Sequence, residues 1–356
     1  MVQIVQRLSP GGIETLALGL AARLPGSNPV LSLDWSTRDI QDRWPALRQA
    51  SVPIEGLEKP AGVQPAFVLR LARRLRALAP RAVVTHHIGP LLYGGLAARL
   101  AGVPVVAYVE HDVWHYAAAR DRRMARVLSA LVRPKVVAVS RGVAVRVGEI
   151  MPGADIRIIR NAVDTDRFVP GDMARARAGL ALPPGVPADA PLVGAAGRLE
   201  LVKGQDILIE AMALLPGVHL ALVGHGSQAD ALRARSAALG LDDRVHFIGQ
   251  RSDMEAVYPA FDLLCLPSRN EGLPLSMLEA QACNVPVVAS DVGSVAEGLC
   301  PGTGALVPPE DPAALAPALR ACLARPGGPE LRAFVLDSFS WTRMVNAYED
   351  LMDPGR

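Results

Sequence analysis

The sequence predicts an α/β protein with two doubly wound domains, each a parallel β-sheet covered by helices. Four observations predict this fold class. Short apolar runs without polar alternation follow one another along the chain, separated by segments of helical period, which is typical of strands buried on both faces. A proline-rich segment, residues 168–191, interrupts the pattern near the middle of the chain. The segments 102–112 and 284–293 resemble each other, which favours two similar halves, and a length of 356 residues favours two domains over one.

Ten apolar runs are predicted to be strands. They are residues 2–6, 29–33, 82–86, 104–109 and 135–140 in the first half, and 191–197, 218–224, 245–249, 262–267 and 285–290 in the second. Ligands of doubly wound sheets bind beyond the carboxyl ends of the strands. The residues just after each run are therefore the candidates for a functional site.

Composition and charge narrow the class of protein. The chain lacks an uncharged apolar run of about 18 residues, so we predict no membrane-spanning helix, and its start does not have the pattern of a secretory signal. None of its four cysteines are at C-x-x-C spacing, which favours reduced core thiols in a cytosolic protein over a metal or disulfide role. Residues 1–170 hold 23 basic and 13 acidic side chains, so we expect an anionic partner for this half.

The first strand is followed by "SPGGIET", residues 9–15, where a helix is predicted to begin. Gly11 and Gly12 permit close approach of a ligand to the backbone, and the amino end of a helix favours phosphate. A tight turn without a ligand explains the same residues equally well.

Histidines follow two of the predicted strands. "EHDVWH" places His111 directly after a buried strand with acids on both sides, which favours a functional role for it. His115 is interpreted as structural. One of His86 and His87, which follow another strand, is a weaker candidate for substrate contact.

Two cations follow the first strand of the second half. Arg198 and Lys203 flank a loop that leads into a helix predicted from Gln205, an arrangement suited to a diphosphate. Lys203 is the only lysine in residues 171–356 of an arginine-rich chain. The alternative is a solvated surface pair.

"SRNEGLPLSMLEA", residues 268–280, carries two acids eight positions apart. Pro274 suits the first turn of a helix predicted over residues 274–284, so Glu271 lies in the loop and Glu279 inside the helix. A phosphate at the helix start would have one acid on each side. A glycosidase-type carboxylate pair and a locally satisfied buried acid remain alternatives. The Asp-x-Asp of residues 164–166 is interpreted as a chance match to a metal motif.

These segments carry a resemblance to a known family. "GRLELVKG", "SRNEGLPLSMLEA" and "NVPVVASDVGSVAEGL" resemble the donor-binding half of retaining GT-B glycosyltransferases of family 4, with Glu271 and Glu279 at its Glu-x7-Glu positions. "GGIE", "EHD", "AVSRGVA" and "RNAVDTDRF" are similar to the family pattern in the first half. The resemblance covers nearly the whole chain and is strongest in residues 191–310. Arg160 and the pair Asn161-Ala162 depart from the pattern, and residues 34–62 match no acceptor signature.

The resemblance implies two Rossmann-like domains facing a cleft that holds a nucleotide-diphosphate sugar, UDP- or GDP-linked. It implies roles for eleven residues: diphosphate binding by Arg198, Lys203, Gly11 and Gly12; contact with the transferred sugar by Glu271, Gly272, Leu273, Pro274 and His111; a hydrogen bond between the ribose and Glu279; and a border to the base at Gly249. Of these, Glu271, His111, Arg198 and Lys203 would support catalysis.

The implied activity is transfer of a hexose, with retention of configuration and without a metal or other cofactor, to a glycan or lipid-linked acceptor in envelope or extracellular polysaccharide synthesis. No nucleic-acid partner is expected. The alternatives are a GT-B nucleotide-sugar epimerase and a non-catalytic scaffold subunit.

Domain boundaries and membrane contact complete the expectations. We predict an acceptor domain at 1–168, a donor domain at 169–337 and a terminal segment, 338–356, whose helix packs back toward the first domain. Residues 65–79 and 120–133 are predicted to form basic amphipathic helices. They favour reversible contact of a cytoplasmic protein with the anionic inner face of the cytoplasmic membrane, although ordinary surface helices explain the same pattern.

Overall fold

The computed structural model describes residues 1–353, which form two compact units. Unit 1 contains Met1–Ala162 and the described residues from Trp341 onward, and unit 2 contains Val163–Ser340. Residues 354–356 of the predicted terminal segment lie outside the described residues.

Thirteen strands occur in the described part of the chain, seven in unit 1 and six in unit 2. They are β1 Val2–Val5, β2 Val30–Ser32, β3 Ile54–Gly56, β4 Ala82–His86, β5 Val105–Glu110, β6 Lys135–Ala138, β7 Ile156–Ile158, β8 Leu192–Ala196, β9 His219–Val223, β10 Val245–Gly249, β11 Leu263–Leu266, β12 Val287–Ser290 and β13 Ala305–Val307.

Helices connect these strands. They are α1 Gly12–Arg23, α2 Thr37–Arg43, α3 Pro65–Leu78, α4 Ile88–Pro90, α5 Leu96–Ala101, α6 Ala119–Val132, α7 Arg141–Ile150, α8 Met173–Gly179, α9 Gln205–Ala213, α10 Ala229–Ala238, α11 Met254–Val257, α12 Leu275–Ala282, α13 Val295–Gly298, α14 Pro312–Leu323, α15 Pro329–Ser338 and α16 Trp341–Met352.

Both sheets are parallel and doubly wound. The order is β3-β2-β1-β4-β5-β6-β7 in unit 1 and β10-β9-β8-β11-β12-β13 in unit 2. In each sheet the strand order changes direction next to the strand that comes first in the sequence, β1 in unit 1 and β8 in unit 2. The loops that follow β1 and β4, and those that follow β8 and β11, therefore lie at topological switch points. The predicted fold class of two Rossmann-like parallel sheets is confirmed.

All ten predicted strands are present, and three were missed. The missed strands, β3, β7 and β13, are three-residue strands at sheet edges. An edge strand is covered on fewer sides, and most residues of these three are only partly buried or exposed. Their sequences consequently lack the apolar run by which the central strands are identified.

The chain passes between the units earlier than the proline-rich segment predicts. The passages lie at Ala162–Val163 and Ser340–Trp341, whereas residues 168–191 belong to unit 2. Arg332 holds the start of this unit by donating to the carbonyl oxygens of Thr165 and Phe168, both at 2.7 Å. Arg177 in α8 pairs with Asp262 at 2.6 Å, which fixes the proline-rich segment to the sheet of unit 2.

Helix α16 belongs to unit 1, where it packs against α1. The Arg23 guanidinium lies 4.4 Å from the centre of the Trp341 ring, and Gly19 leaves the space that this ring occupies. Within residues 1–353, we find no helix with the length and apolar character needed to cross a membrane.

Candidate functional site

An ion pair joins the loops that follow β8 and β11. The Lys203 Nζ atom lies 2.6 Å from Glu271 Oε1, which also accepts a hydrogen bond from the Ser268 hydroxyl at 2.7 Å. The Glu271 side chain is 8% exposed and that of Lys203 is 26% exposed. The two residues were predicted to bind the same donor molecule, and the structure brings them into direct contact.

A second ion pair, between Arg269 and Asp206, holds the backbone of the same region. Arg269 donates to both carboxylate oxygens of Asp206, at 2.9 and 2.7 Å, and to the carbonyl oxygen of Leu201 at 2.6 Å. Its own amide donates to the Val202 carbonyl at 2.9 Å. A bidentate guanidinium–carboxylate pair sets both distance and orientation, so the loop that carries Lys203 is held against the loop that carries Glu271.

Two glycines allow these loops to approach. Gly204 has φ +68°, and a Cβ atom there would lie 2.0 Å from the Pro267 carbonyl oxygen. Gly293, with φ +57°, would place a Cβ atom 1.8 Å from the carbonyl oxygen of Glu271. Only glycine combines this backbone conformation with such close contact. Neither residue was singled out from the sequence, because a glycine's neighbours become visible only in the fold.

Glu279 has a different partner from Glu271. It lies in α12 and accepts a hydrogen bond from the Tyr258 hydroxyl at 2.6 Å. Burial raises the pKa of its carboxyl group, against the opposing effects of the Tyr258 hydrogen bond and the charge of Arg167. The two acids of the Glu-x7-Glu motif therefore stand in different environments, one paired with a cation and one with a phenol.

The other predicted residues of unit 2 lie at the carboxyl ends of its strands, in the loops that follow them or at the start of α12. Helix α12 begins at Leu275 with Pro274 at its cap, one residue later than predicted, and ends at Ala282, two residues before the predicted end at Asn284, which adopts φ +61°. Gly272 accepts from the Ser294 amide at 3.2 Å, and Leu273 is buried.

Gly249, at the end of β10, accepts from the Gly224 amide at 2.8 Å. The Arg198 side chain is exposed on the loop after β8.

His111 is fixed in unit 1 by a chain of hydrogen bonds. Its Nε2 atom lies 2.9 Å from His86 Nδ1, and His86 Nε2 lies 2.7 Å from Gln3 Oε1. The amide oxygen of Gln3 can only accept, so His86 donates from Nε2 and accepts at Nδ1 from His111 Nε2–H. Neutral His111 then has its Nδ1 lone pair free to accept a hydrogen bond.

Burial keeps His86 and His111, the two histidines of this hydrogen-bonded chain, uncharged. Desolvation lowers the pKa of His86 to about 3 and that of His111 well below its usual value, with the neighbouring histidines adding to the effect. His111 can accept a hydrogen bond from a hydroxyl but supplies no positive charge at neutral pH. The sequence predicts His111 at a strand end. It does not indicate that Gln3, which is distant in sequence, orients His111 through His86.

The loop after β1 begins α1 as the sequence predicts. Gly11 is the residue before the helix, with extended backbone (φ −169°), and Gly12 is its first residue. Both are exposed. Their accessible position at a helix start is compatible with the predicted phosphate contact.

Asp164, in the predicted chance motif, accepts from the backbone amides of Asp166 and Arg167 at 3.2 and 3.1 Å. Asp164 thus forms a local turn, in which its carboxylate oxygen accepts hydrogen bonds from backbone amides.

The predicted basic helices are present as α3 and α6, and their apolar sides are largely used within unit 1. Phe67, Leu71 and Leu75 of α3 are buried. Arg74 pairs with Glu55 at 2.8 Å. Helix α6 keeps two apolar side chains outward, Val127 at 51% and Leu131 at 64% exposure.

Comparison with solved structures identifies the class of fold. The Anabaena protein HepE, in complex with UDP and glucose, has a TM-score of 0.85 at 23% identity, over 98% of each chain. Sucrose-phosphate synthase from Thermosynechococcus elongatus has a TM-score of 0.76 at 23% identity, over 98% of this chain and 97% of the other. Likeness at this identity shows the fold, which is the GT-B fold of glycosyltransferases.

Comparison of sequences then identifies the family. Residues 183–334 match the family described as "Glycosyl transferases group 1", and residues 10–167 match "Glycosyltransferase Family 4". The D-inositol 3-phosphate glycosyltransferase of Mycolicibacterium gilvum is 38% identical over 202 residues, which is 54% of this chain and 45% of that protein. The chain thus spans about half the length of the curated relatives it matches. The chain belongs to the group 1, family 4 glycosyltransferases.

Proposed function

We propose that the protein transfers a hexose from a nucleotide-diphosphate sugar to an acceptor hydroxyl, with retention of configuration. The observation that carries this proposal is the Lys203–Glu271 contact at the switch point of the sheet in unit 2. A cation suited to a diphosphate and an acid suited to sugar hydroxyls are held side by side there, where one molecule that contains both groups can meet them.

The donor is tested first. Solved structures of the same fold hold UDP with glucose, and UDP-glucose. We therefore expect a uridine donor to raise the melting temperature in a screen of UDP- and GDP-sugars. The variant Lys203→Met should lose this shift while it keeps its own melting transition. A shift that is unchanged in Lys203→Met would contradict the assignment of the diphosphate to this loop.

The transfer is proposed to need no divalent ion on the diphosphate. Lys203, Arg198 and the amino ends of helices supply positive charge there, and the departing phosphate takes the acceptor's proton in a same-face attack. The protein then acts mainly by positioning and electrostatic support. Donor affinity should change less than about twofold when Mg²⁺ or Mn²⁺ is added. An α-linked donor should give an α-linked product, as measured by the anomeric proton coupling.

The acceptor is proposed to be a glycan or a lipid-linked saccharide of envelope or extracellular polysaccharide synthesis. The curated relative named above is, by its name, a D-inositol 3-phosphate glycosyltransferase, so inositol 3-phosphate belongs in the same acceptor screen. The readout is radiolabelled sugar that moves from the donor to each acceptor. Transfer to inositol 3-phosphate alone would overturn the polysaccharide acceptor and leave the transferase activity standing.

Two rival functions are separated by the products. An epimerase would release an altered nucleotide sugar without any acceptor, which anion-exchange chromatography detects. A non-catalytic scaffold would retain its cellular effect in Glu271→Gln. We expect neither result, because Lys203, Glu271 and Glu279 are all present and positioned.

The protein is proposed to work in the cytoplasm, with reversible contact to anionic lipid through residues 65–79 and 120–133. The exposed Val127 and Leu131 of α6, together with the exposed Arg123, support this contact. Flotation with vesicles that contain phosphatidylglycerol, at low salt, should carry the protein upward. Loss of flotation in Val127→Ser/Leu131→Ser would locate the contact in α6, and failure to float at low salt would contradict it.

A further inference from the structure

Four side chains of unit 1 that the proposed reaction does not use converge at the ends of β4 and β5. They are His87, Glu110, Asp112 and His115, and one potential ligand atom from each lies within 4.8 Å of all the others. His87 follows β4, Glu110 ends β5, and Asp112 and His115 lie in the connection to α6. Parallel strands and the short turn after β5 thus bring two imidazoles and two carboxylates to one point.

The side chains of this cluster make close contacts with one another, in which each imidazole uses both of its nitrogen atoms. His87 Nδ1 lies 3.0 Å from Glu110 Oε1, and His115 Nδ1 lies 3.3 Å from Asp112 Oδ1. His115 Nε2 lies 3.4 Å from Glu110 Oε2, and His87 Nε2 lies 4.0 Å from Asp112 Oδ2. A single ion would bind one nitrogen of each ring, and the four atoms available to it lie within 4.8 Å of one another. Ligand atoms of tetrahedral zinc are about 3.3 Å apart, so binding would draw these side chains closer together.

One nitrogen of the cluster is buried without a hydrogen bond. His115 Nε2 makes no hydrogen bond of good geometry with the described residues, and its one close contact is the ion-pair distance of 3.4 Å to Glu110 Oε2. A buried polar atom left unpaired costs stability, so such an atom in a native protein calls for an explanation. A metal ion between the imidazole and the carboxylates would occupy this nitrogen.

The backbone at His87 is also strained. His87 has φ +69° and ψ +171°, a conformation that L side chains rarely adopt. Its amide donates to the Val109 carbonyl at 3.1 Å, which fixes the residue beside β5. Strain of this kind persists where a ligand or a reaction requires the geometry. Here it brings the His87 imidazole to the Glu110 carboxylate.

The carboxylate at the centre is supported from behind. Glu110 is fully buried and accepts a hydrogen bond from the Tyr108 hydroxyl, which in turn lies 2.5 Å from the Tyr116 hydroxyl. Hydrogen bonds to the ligating groups are usual around metal ions, where they orient the first set of ligands.

We propose that His87, Glu110, Asp112 and His115 bind one zinc ion. Two imidazoles and two carboxylates suit a borderline-soft dication, and four protein ligands make a closed, structural site. The ion would fix the connection from β5 to α6, which also carries His111. This site is separate from the proposal that the donor diphosphate needs no divalent ion, because it is built from other side chains within unit 1.

The alternative is an ion-paired ring in which the imidazoles are protonated and no metal binds. The test uses the full chain, purified with a tag that lacks histidine, stripped with a chelator, reloaded with zinc and desalted. We expect about one zinc per chain by mass spectrometry of the metal. His115→Gln and Asp112→Asn, made separately, should each weaken zinc binding at least about tenfold. His225→Gln, at an exposed histidine of unit 2, is the matched control and should keep full zinc content.

Cobalt gives a second readout that does not depend on activity. Loading the stripped protein with Co²⁺ should produce visible absorption bands of tetrahedral cobalt, which should be absent from His115→Gln. Circular dichroism establishes that each variant is folded. Less than about 0.1 zinc per chain after reloading, or equal zinc content in His115→Gln and the unmodified protein, would overturn the proposal in favour of the ion-paired ring.

Discussion

The Lys203 ammonium lies 2.6 Å from the Glu271 carboxylate, which is also held by the Ser268 hydroxyl. Because the carboxylate is largely buried and the ammonium is only partly exposed, each satisfies a charge that would otherwise be costly to desolvate. A diphosphate bound at Lys203 would compete with Glu271 for the same cation. Donor binding is therefore expected to release Glu271 to accept hydrogen bonds from the sugar.

This relationship predicts opposite defects for the two acids of the motif. Glu271→Ala leaves Lys203 free for the diphosphate, so donor affinity should hold or improve while kcat falls about 100-fold or more, as when one positioned group is lost. Glu279→Ala removes a carboxylate that would accept a hydrogen bond from the ribose, and should weaken donor binding about 10- to 100-fold with a smaller fall in kcat. Calorimetric donor titration and steady-state kinetics measure both. Equal losses of kcat with unchanged donor affinity would favour a paired-carboxylate mechanism instead.

The Arg269–Asp206 pair is predicted to act on the donor site through the Lys203 loop. Asp206→Asn removes one charge of a pair that is about three-quarters buried on each side, and should lower the free energy of unfolding by about 1–3 kcal/mol and weaken donor binding. Asp230→Asn is the control, because the Asp230–Arg233 pair is exposed and its loss should leave both quantities nearly unchanged. Urea denaturation and donor titration of the two variants give the comparison. Unchanged donor affinity in Asp206→Asn would limit the pair to a structural role.

Glu279 is predicted to reduce stability at neutral pH. Burial raises its pKa in the folded protein above the usual value of 4.5, so the unfolded chain ionises more readily and stability is lost as the pH rises through this range. Glu279→Gln should therefore raise the free energy of unfolding more at pH 7 than at pH 4.5, while it weakens donor binding. Tyr258→Phe removes the hydrogen bond that favours the ionised form, and should destabilise more at pH 7 than at pH 4.5. For either variant, an equal change in the free energy of unfolding at pH 4.5 and pH 7 would contradict a raised pKa of Glu279.

His86 and His111 are predicted to remain neutral, each with its proton on Nε2. Nitrogen-detected NMR of labelled protein should show this tautomer for both residues, with no titration between pH 8 and pH 5. Because the unfolded chain binds protons at these sites below about pH 6.5, stability should fall as the pH drops from there. In Gln3→Met, His86 loses its acceptor, so the tautomer of His111 should become mixed. An unchanged His111 spectrum in that variant would contradict the relay.

Much of the fold could be predicted because buried parallel strands leave continuous apolar runs. The central strands, such as β5 and β11, were predicted from such runs, whereas the partly exposed edge strands β3 and β7 were not. The passage between the units was predicted at the proline-rich segment, since proline content is a local signal. The contacts of Arg177 and Arg332 that place this segment in unit 2 join residues distant in sequence.

The sequence by itself determined the fold class, the position of Lys203, Glu271 and Glu279 after strands of unit 2, and the position of His111 after a strand of unit 1. The fold class follows from the repeated pattern of apolar runs along the chain. Each residue position follows from the order of residues along one strand and the segment after it. Only the tertiary structure decided that Glu271 pairs with Lys203 while Glu279 pairs with Tyr258, that Gln3 orients His111 through His86, and that His87 meets Glu110, Asp112 and His115. Lys203 and Glu271, like His86 and His111, follow or end different strands, and the side-by-side pairing of parallel strands in one sheet brings those ends together. Glu279 and Tyr258 meet because α12 packs against the turn before β11.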